Sequence, residues 1–291
     1  MPELREEGAD MAGERVIIVT SFNGRFEGIA SHTVPRMQAY AERHGFDLQV
    51  TRYGRTGGRP YWMKITSIRR ALDGSHDIVF WIDADALIVR LEFDVRLALP
   101  MDKDLGMVWH SPGGVDSCSH FNAGIIAVRN GTWSRDFFRR VSESKLKHHW
   151  QDQAAMLHLL GYDAVLGIGP DRPDAPDRAH LAHLDPAWNS IPGVASVRDP
   201  IIHHWAGIFG SARERGLAAD AALIPLCDEH GEPARIAVAA AMNALADEAR
   251  IVDGLEAVLR SPRKILRFVP AALRARIRQA TIPRKWRENN S

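Results

Sequence analysis

Cysteine is scarce in this chain, which has only Cys118 and Cys227 among 291 residues. Two such cysteines provide neither a disulfide framework nor the paired spacing of a zinc site. Long apolar runs are also missing, since no stretch approaches the roughly 20 residues that span a bilayer. The first residues, MPELREEGADMAGER, are polar and acidic, unlike a signal peptide. Neither a disulfide-rich secreted domain nor a membrane-spanning protein is expected, and we predict a cytoplasmic protein.

The composition is otherwise that of a soluble globular protein, with 45% hydrophobic and 25% charged residues and a net charge of +1. A chain of this length buries one large core or two small ones, and we find no internal repeat. We predict a disordered N-terminus over residues 1–13, a main domain over 14–215 and a helical C-terminal extension over 216–291.

Apolar runs of strand length alternate with helical stretches along the main domain. Strands are predicted at 15–21, 46–53, 78–90, 105–110 and 121–129, and helices at 28–44, 61–72, 133–144, 152–160 and 233–259. The proline-rich stretch 170–200 is interpreted as a long loop. This order predicts an α/β fold with a mostly parallel central sheet flanked by helices.

Two acidic residues, Asp83 and Asp85, end the apolar run IVFWIDADALIVR at 78–90. Ligands of open α/β sheets bind beyond the carboxyl ends of the strands. Two acids placed there repel each other unless a cation lies between them, and oxygen ligands suit Mg²⁺ or Mn²⁺. An isolated Asp-x-Asp is more often a strand end followed by an Asx turn, but the flanking apolar strand and the segments described next favour the metal site.

Four further segments carry candidate site residues. Lys64 lies on a predicted helix, where it faces either a ligand or solvent, and Asn122 begins a buried strand in which Gly124 allows close approach of a ligand. Asp152 and Gln153 open another helix, although Asp152 is also suited to an N-cap. The fourth segment is HHWAG, at 203–207.

Taken together and in this order, these segments resemble a retaining α-glycosyltransferase family, which contains fungal galactosyl- and mannosyltransferases and plant xyloglucan xylosyltransferases. The resemblance covers roughly residues 15–210. It depends on VTSFNGR at 19–25, WMK at 62–64, WIDADALI at 81–88, FNAGIIAVRNGTWSRDFF at 121–138, DQAAMLHLL at 152–160 and HWAG at 204–207. Each motif is modest, but the ordered set is specific.

The resemblance implies a GT-A fold, a bound Mn²⁺ or Mg²⁺ ion and a UDP- or GDP-sugar whose diphosphate completes the metal shell. The metal ligands it implies are Asp83, Asp85 and His204. His203 competes for the third position, and His204 is preferred because it stands three residues before Gly207, as in the family's His-x-x-Gly step.

The resemblance also assigns the remaining site residues. It places Thr20 and Ser21 beside the nucleoside, and it implies that the nucleotide-sugar is bound by Lys64, Asp83, Asn122, Asp152 and Gln153. Asp152 or Gln153 is the candidate catalytic residue that stabilises positive charge at the anomeric carbon. The family's diphosphate-binding lysine is missing after Gly207, which leaves Arg213 or Arg215 as its substitute. The acceptor is not carried over.

The C-terminal tail differs in charge from the rest of the chain. Residues 260–291 contain ten Lys or Arg and one acid, a net charge of +9, so residues 1–259 carry −8. Apolar residues interleave with the arginines in RSPRKILRFVPAALRARIRQ, at 260–279. This pattern is typical of a helix on an anionic membrane surface, and also of a helix packed on the main domain with its arginines in water.

We therefore expect a metal-dependent retaining glycosyltransferase that acts on a saccharide or lipid-linked acceptor, as in cell-surface polysaccharide synthesis, and that is peripheral at the inner face of the membrane. A sugar-nucleotide pyrophosphorylase is the alternative enzyme, although no Gly-rich phosphate loop follows the first strand. A catalytically inactive, membrane-associated binding protein is the alternative from another class. Nucleic-acid binding is not expected, because the basic tail lacks a recognised motif and the main domain is acidic.

Overall fold

The computed structural model describes residues 13–54, 60–111 and 119–260. These residues fall into two units, the first ending at Ala246 and the second beginning at Asp247. Cys118, most of the predicted disordered N-terminus and most of the basic tail lie outside the described residues.

The strands of the first unit form two sheets. The larger contains β1 (Val16–Asn23), β2 (Asp47–Tyr53), β3 (Ile78–Ile82), β5 (Leu105–His110), β6 (His120–Arg129) and β7 (Leu181–Leu184), and the smaller contains β4 (Ala86–Ile88) and β8 (Ile202–His204). The larger sheet has the order β2-β1-β3-β6-β5-β7. Strand β1 is parallel to β2 and β3, and β5 is parallel to β7, whereas β6 is antiparallel to β3 and β5. The predicted mixed, mostly parallel sheet is confirmed.

Helices follow most of these strands. They are α1 (Glu27–His44), α2 (Pro60–Leu72), α3 (Val95–Ala98), α4 (Thr132–Glu143), α5 (Gln151–Leu159), α6 (Gly210–His230) and α7 (Glu232–Arg260). Helix α1 ends where Gly45 adopts a left-handed conformation, with φ of 69°, and donates its N–H to the Ala41 carbonyl. No described helix is both long and apolar enough to cross a membrane.

The larger sheet is buried on both faces. Side chains alternate along β1, so Ile17 and Val19 pack with residues of α2, α4 and α5, whereas Val16 and Ile18 pack with Met37 and other residues of α1. Burial on both sides explains why the central strands are nearly continuous apolar runs.

The interpretation of residues 170–200 as a long loop is wrong. This stretch contains β7 and two short 3₁₀ helices, Pro176–His180 and Pro186–Asn189. A proline begins each 3₁₀ helix, at a position where a backbone N–H would have no hydrogen-bond partner within the helix. Strand β7 is four residues long and contributes an edge strand to the sheet through β5, a partner distant in sequence. Local pattern did not reveal that pairing.

Candidate functional site

The two aspartates lie in a tight turn that directly follows strand β3. Strand β3 ends at Ile82, and the Asp83 carbonyl accepts a hydrogen bond of 3.0 Å from Ala86 N. The Asp83 N–H donates to the Gly124 carbonyl at 2.8 Å, which ties the turn to β6. The apolar run at 78–90 is therefore not one strand, because it leaves the larger sheet at Asp83 and joins the smaller one at β4.

The turn and strand β8 bring together Asp83, Asp85 and His204, which we call the Asp-Asp-His cluster. One ligand atom from each residue lies within 4.8 Å of the others. His204 Nε2 is 3.8 Å from Asp83 Oδ2 and 3.5 Å from Asp85 Oδ1. Two carboxylates and one imidazole are a donor set that Mn²⁺ accepts, with remaining positions open to a ligand. The residues therefore fit the predicted metal.

Strand pairing separates the two neighbouring histidines. Strand β8 is antiparallel to β4 with His204 opposite Ala86, next to Asp85. Because successive side chains point to opposite faces, His203 turns away from the cluster. Its Nδ1 lies 2.9 Å from a carboxylate oxygen of the buried Asp220 on α6. The structure places His204, and not His203, beside the aspartates.

Arg213, on α6, forms an ion pair with Asp85. Its Nη1 donates to Asp85 Oδ2 at 2.5 Å, and its guanidinium lies 5.0 Å from the centre of the Phe26 ring. Burial raises the pKa of Asp85, but neighbouring groups, among them the Arg213 guanidinium, outweigh it and hold that pKa well below its usual range. Arg215 is exposed and binds Ser211, so Arg213 is the arginine at the cluster.

Lys64 is buried rather than solvated. Its ammonium group donates to the Ala123 carbonyl at 2.8 Å and lies 3.0 Å from Asp83 Oδ1 and 3.5 Å from Asp152 Oδ2. Burial lowers the pKa of Lys64, but the negative charges of Asp83 and Asp152 outweigh it, and the net shift is upward. Lys64 is therefore charged, and its ammonium group lies beside both Asp83 of the cluster and Asp152, a candidate catalytic residue.

Asp152 and Gln153 lie at the start of α5, against the end of β6. The Gln153 side-chain oxygen accepts from Ala123 N at 3.1 Å. Trp150, and not Asp152, holds the N-cap position of α5. Asp152 Oδ2 is buried without a hydrogen-bond partner in the described part of the chain, and burial raises the pKa of this carboxyl despite the nearby Lys64. A buried oxygen that lacks a hydrogen bond is suited to a ligand.

Asn189 was missed by sequence reasoning. Its side-chain oxygen lies 2.9 Å from His204 Nδ1, and its amide nitrogen donates to Asn122 Oδ1 at 3.1 Å. Asn189 ends the second 3₁₀ helix and is fully buried. No local signal distinguished it within a stretch interpreted as a loop.

Thr20 and Ser21 face opposite sides of the sheet. Strand β1 continues to Asn23, so both lie within the strand rather than at its end. Thr20 is on the face of Ile18 and is buried, and its hydroxyl has no hydrogen-bond partner among the described residues. Ser21 is on the face of Val19, which is also the face packed by α2, the helix of Lys64. Their assignment to the nucleoside stays a prediction.

The absence of a side chain at Gly124 leaves space for the imidazole of His204. A Cβ added at this position would lie 2.0 Å from Cε1 of His204. We expected a small residue here to admit a ligand, but the group that fills the space is the His204 imidazole. The missing side chain of Gly124 is therefore what lets His204 lie against β6.

Gly124→Ala is expected to displace the His204 ring, weaken Mn²⁺ binding and lower the free energy of unfolding by about 1–3 kcal/mol through overpacking. Urea unfolding and Mn²⁺ titration measure the two effects. Gly106→Ala is the matched control, since its Cβ would lie 2.8 Å from Leu184 Cδ2, in the same sheet. Unchanged Mn²⁺ affinity in Gly124→Ala would contradict the prediction.

His110, at the end of β5, is a second residue that the sequence did not reveal. It is 3% exposed, and its Nε2 has no hydrogen-bond partner among the described residues. Burial, with smaller effects from His204 and His120, lowers the pKa of His110 to about 3. The ring is therefore neutral at physiological pH, and one of its nitrogens forms no hydrogen bond with the described residues.

A buried neutral histidine makes stability depend on pH. The folded pKa of about 3 lies below the ordinary 6.5, so the stability associated with neutral His110 is complete above pH 6.5 and is lost as the pH falls toward 3. His110→Asn is expected to reduce this loss, by up to about 1.4 kcal/mol per pH unit. Urea unfolding with a chelator, from pH 7 to pH 4, tests this, with the exposed His149→Asn as control. Equal pH slopes for wild type and His110→Asn would refute it.

Part of the chain matches a known family model. Residues 13–105 match the model of the galactosyl transferase GMA12/MNN10 family. The family resemblance is confirmed. Galactomannan galactosyltransferase 1 of Cyamopsis tetragonoloba is 30% identical over 131 residues, which cover 43% of this chain and 28% of that protein. Probable glycosyltransferase 7 of Oryza sativa subsp. indica is 27% identical over 213 residues, covering 63% and 42%. The chain thus matches less than half the length of these relatives.

A solved structure shares the fold. It is a glycosyltransferase involved in the glycosylation of the major capsid of PBCV-1, with a TM-score of 0.54 and 16% sequence identity. The superposition covers 70% of this chain and 98% of that one. The GT-A fold predicted from the sequence is confirmed.

Proposed function

We propose that this protein is a metal-dependent retaining glycosyltransferase that transfers a sugar from a UDP- or GDP-sugar to a saccharide or lipid-linked saccharide. The observation that carries the proposal is the convergence of Asp83, Asp85 and His204 at the end of a central strand, with ligand atoms within 4.8 Å of one another. The family match and the GT-A fold support the same reaction class.

The charges around the cluster suit a nucleotide diphosphate. Mg²⁺ and Mn²⁺ at such sites keep open positions that phosphate oxygens fill. Arg213 is paired with Asp85, and its guanidinium lies 5.0 Å from the centre of the Phe26 ring and 5.7 Å from that of Phe209. Its Nε is buried without a hydrogen-bond partner in the described residues, so a donor remains for an anion. We assign Arg213 to the role of the family's diphosphate-binding lysine.

Breaking the glycosyl–phosphate bond leaves negative charge on the diphosphate and positive charge at the anomeric carbon. A bound Mn²⁺ ion would supply electrostatic stabilisation of the first charge. We assign Asp152 or Gln153 to the stabilisation of the second charge, and Lys64 lies 3.5 Å from Asp152. In a retaining reaction of this kind the acceptor attacks from the face that the diphosphate leaves, and the leaving phosphate takes the acceptor proton, so no separate general base is needed.

A panel of UDP- and GDP-sugars, each with and without Mn²⁺, tests the proposal by thermal shift. A ligand at 100 times its Kd stabilises the folded protein by about 2.7 kcal/mol. We expect one donor to stabilise only when Mn²⁺ is present. NMR of the product formed from that donor should then show retained anomeric configuration. No Mn²⁺-dependent shift with any donor, or an inverted product, would overturn the proposal.

We further propose that residues 260–291 bring the catalytic domain to an anionic cytoplasmic leaflet. The support is the sequence alone, with a net charge of +9 and interleaved apolar residues. Charge contributes about 1 kcal/mol per basic residue near such a surface. The triple variant Arg274→Glu, Arg276→Glu and Arg278→Glu should lose sedimentation with anionic liposomes while keeping hydrolysis of the sugar nucleotide. Equal sedimentation of both proteins would overturn this proposal.

A further inference from the structure

The two ring nitrogens of His204 face different groups. Nε2 points toward the cluster, 3.5 Å from Asp85 Oδ1 and 3.8 Å from Asp83 Oδ2. Nδ1 lies 2.9 Å from the side-chain oxygen of Asn189. Histidine binds a metal through a nitrogen that carries no proton, and the group bound to its other nitrogen decides which nitrogen that is.

A backbone group sets the direction of the hydrogen bonds around Asn189. The Gly124 N–H donates to the Asn122 side chain at 2.8 Å, so the accepting atom of Asn122 is its oxygen. The same oxygen is 3.1 Å from the Asn189 amide, which must therefore present its nitrogen. The Asn189 oxygen is left facing His204, and an oxygen only accepts, so Nδ1 of His204 carries the proton.

The backbone also holds Asn189 in place. Ser190 N donates to the Ile202 carbonyl at 3.0 Å, and His204 N donates to the Ser190 carbonyl at 2.8 Å. The end of the 3₁₀ helix thus runs alongside β8. Asn189 and His204 are 0% and 2% exposed. Breaking their hydrogen bond would therefore leave two buried polar groups without access to water.

We propose that Asn189 is a positioning residue that fixes the Nδ1–H tautomer of His204, leaves its Nε2 lone pair for the divalent ion, and links the metal ligand to Asn122, the predicted sugar-binding residue. The inference relies on the metal site of the proposed function. The Asn122 oxygen is occupied by Gly124 and Asn189, so only its amide nitrogen remains for a sugar hydroxyl.

The neighbouring histidine provides an internal contrast. His203 Nδ1 contacts the carboxylate of Asp220, whereas His204 Nδ1 contacts the amide of Asn189. Both partners present an oxygen to the imidazole, but only Asn189 also donates a hydrogen bond, to Asn122. A carboxylate in the place of Asn189 would offer no such donor.

The first experiment measures the tautomer in the metal-free protein. Long-range ¹H–¹⁵N correlation spectra of ¹⁵N-histidine protein should show His204 in the Nδ1–H form in the wild type. Asn189→Ala should give a mixture of both tautomers at this residue. Asp220→Asn is the matched control, because it alters an equally buried partner on the other face and should leave the His204 signal unchanged. An Nε2–H form in the wild type, or unaltered signals in Asn189→Ala, would overturn the proposal.

The second experiment measures Mn²⁺ affinity by the loss of the free-ion electron paramagnetic resonance signal. Removing an outer-shell partner of a metal ligand costs 10–100-fold in affinity, and we expect a loss in about that range for Asn189→Ala. Asn189→Asp keeps an oxygen toward His204 but loses the donor to Asn122, so it should retain most Mn²⁺ affinity while weakening binding of the donor sugar.

The two proposals fail in different ways. Unchanged Mn²⁺ affinity in Asn189→Ala, with a wild type that binds Mn²⁺, would overturn the role of Asn189 and leave the proposed function standing. A wild type that binds no Mn²⁺ would overturn the metal dependence, and the tautomer measurement would still decide the role of Asn189, since it uses metal-free protein.

Discussion

Asp83→Asn and Asp85→Asn are each expected to abolish Mn²⁺-dependent binding of the nucleotide, a loss of about 100-fold or more. Each change removes one of the two negative charges that face His204 within the Asp-Asp-His cluster. Removing an outer-shell partner typically lowers metal affinity by about 10–100-fold, so a loss of affinity beyond 100-fold indicates a residue that binds the ion directly. Calorimetric titration of UDP with and without Mn²⁺ measures the effect.

The exposed Asp73→Asn serves as the control for loss of an aspartate. It should bind UDP and Mn²⁺ as the wild type does. Asp85→Asn should also be less stable, because it leaves Arg213 partly buried without its carboxylate partner. Wild-type affinity in both cluster variants would show that these aspartates do not bind the metal.

Lys64→Met is expected to lower the free energy of unfolding by about 3–5 kcal/mol, because it removes the buried cation that two carboxylates share. Lys64 lies 3.0 Å from Asp83 and 3.5 Å from Asp152, and its side chain is 9% exposed. Urea unfolding of the metal-free protein gives the value. Lys103→Met is the control, because Lys103 pairs with the exposed Asp102 and a surface ion pair contributes little to stability.

A double variant separates charge from packing. Adding Asp152→Asn to Lys64→Met removes one of the two uncompensated carboxylates, so the double variant should be more stable than Lys64→Met alone. Coupled residues in contact typically show interaction energies of about 0.5–3 kcal/mol in such cycles. Strictly additive effects of the two changes would mean that Lys64 and Asp152 do not interact through their charges.

Much of the fold was predictable because its signals are local. The predicted strand at 105–110 coincides with β5, and the helices predicted at 28–44 and 61–72 lie within one residue of α1 and α2. Apolar runs of strand length and helical periodicity depend on neighbouring residues only. The four residues of β7 gave no such signal, because their role depends on pairing with β5.

The candidate site was predictable in part. The predicted residues Asp83, Asp85 and His204 meet in one cluster, and Lys64 joins them. Asn189 and His110 could not be found by local pattern, because a single Asn or His carries no periodicity and their importance depends on which distant groups they contact. Burial without a partner, the feature that marks His110, exists only in the folded chain.

The sequence by itself predicted most strands and helices before residue 170, the resemblance to a glycosyltransferase family, and the acids and amides that are candidate site residues. Tertiary structure decided which of these side chains meet. His203 and His204 are neighbours of identical chemistry, and the antiparallel register of β8 against β4 turns one to Asp220 and the other to the aspartates. Register determines which face of a strand each side chain occupies, and it depends on pairing between segments far apart in the chain.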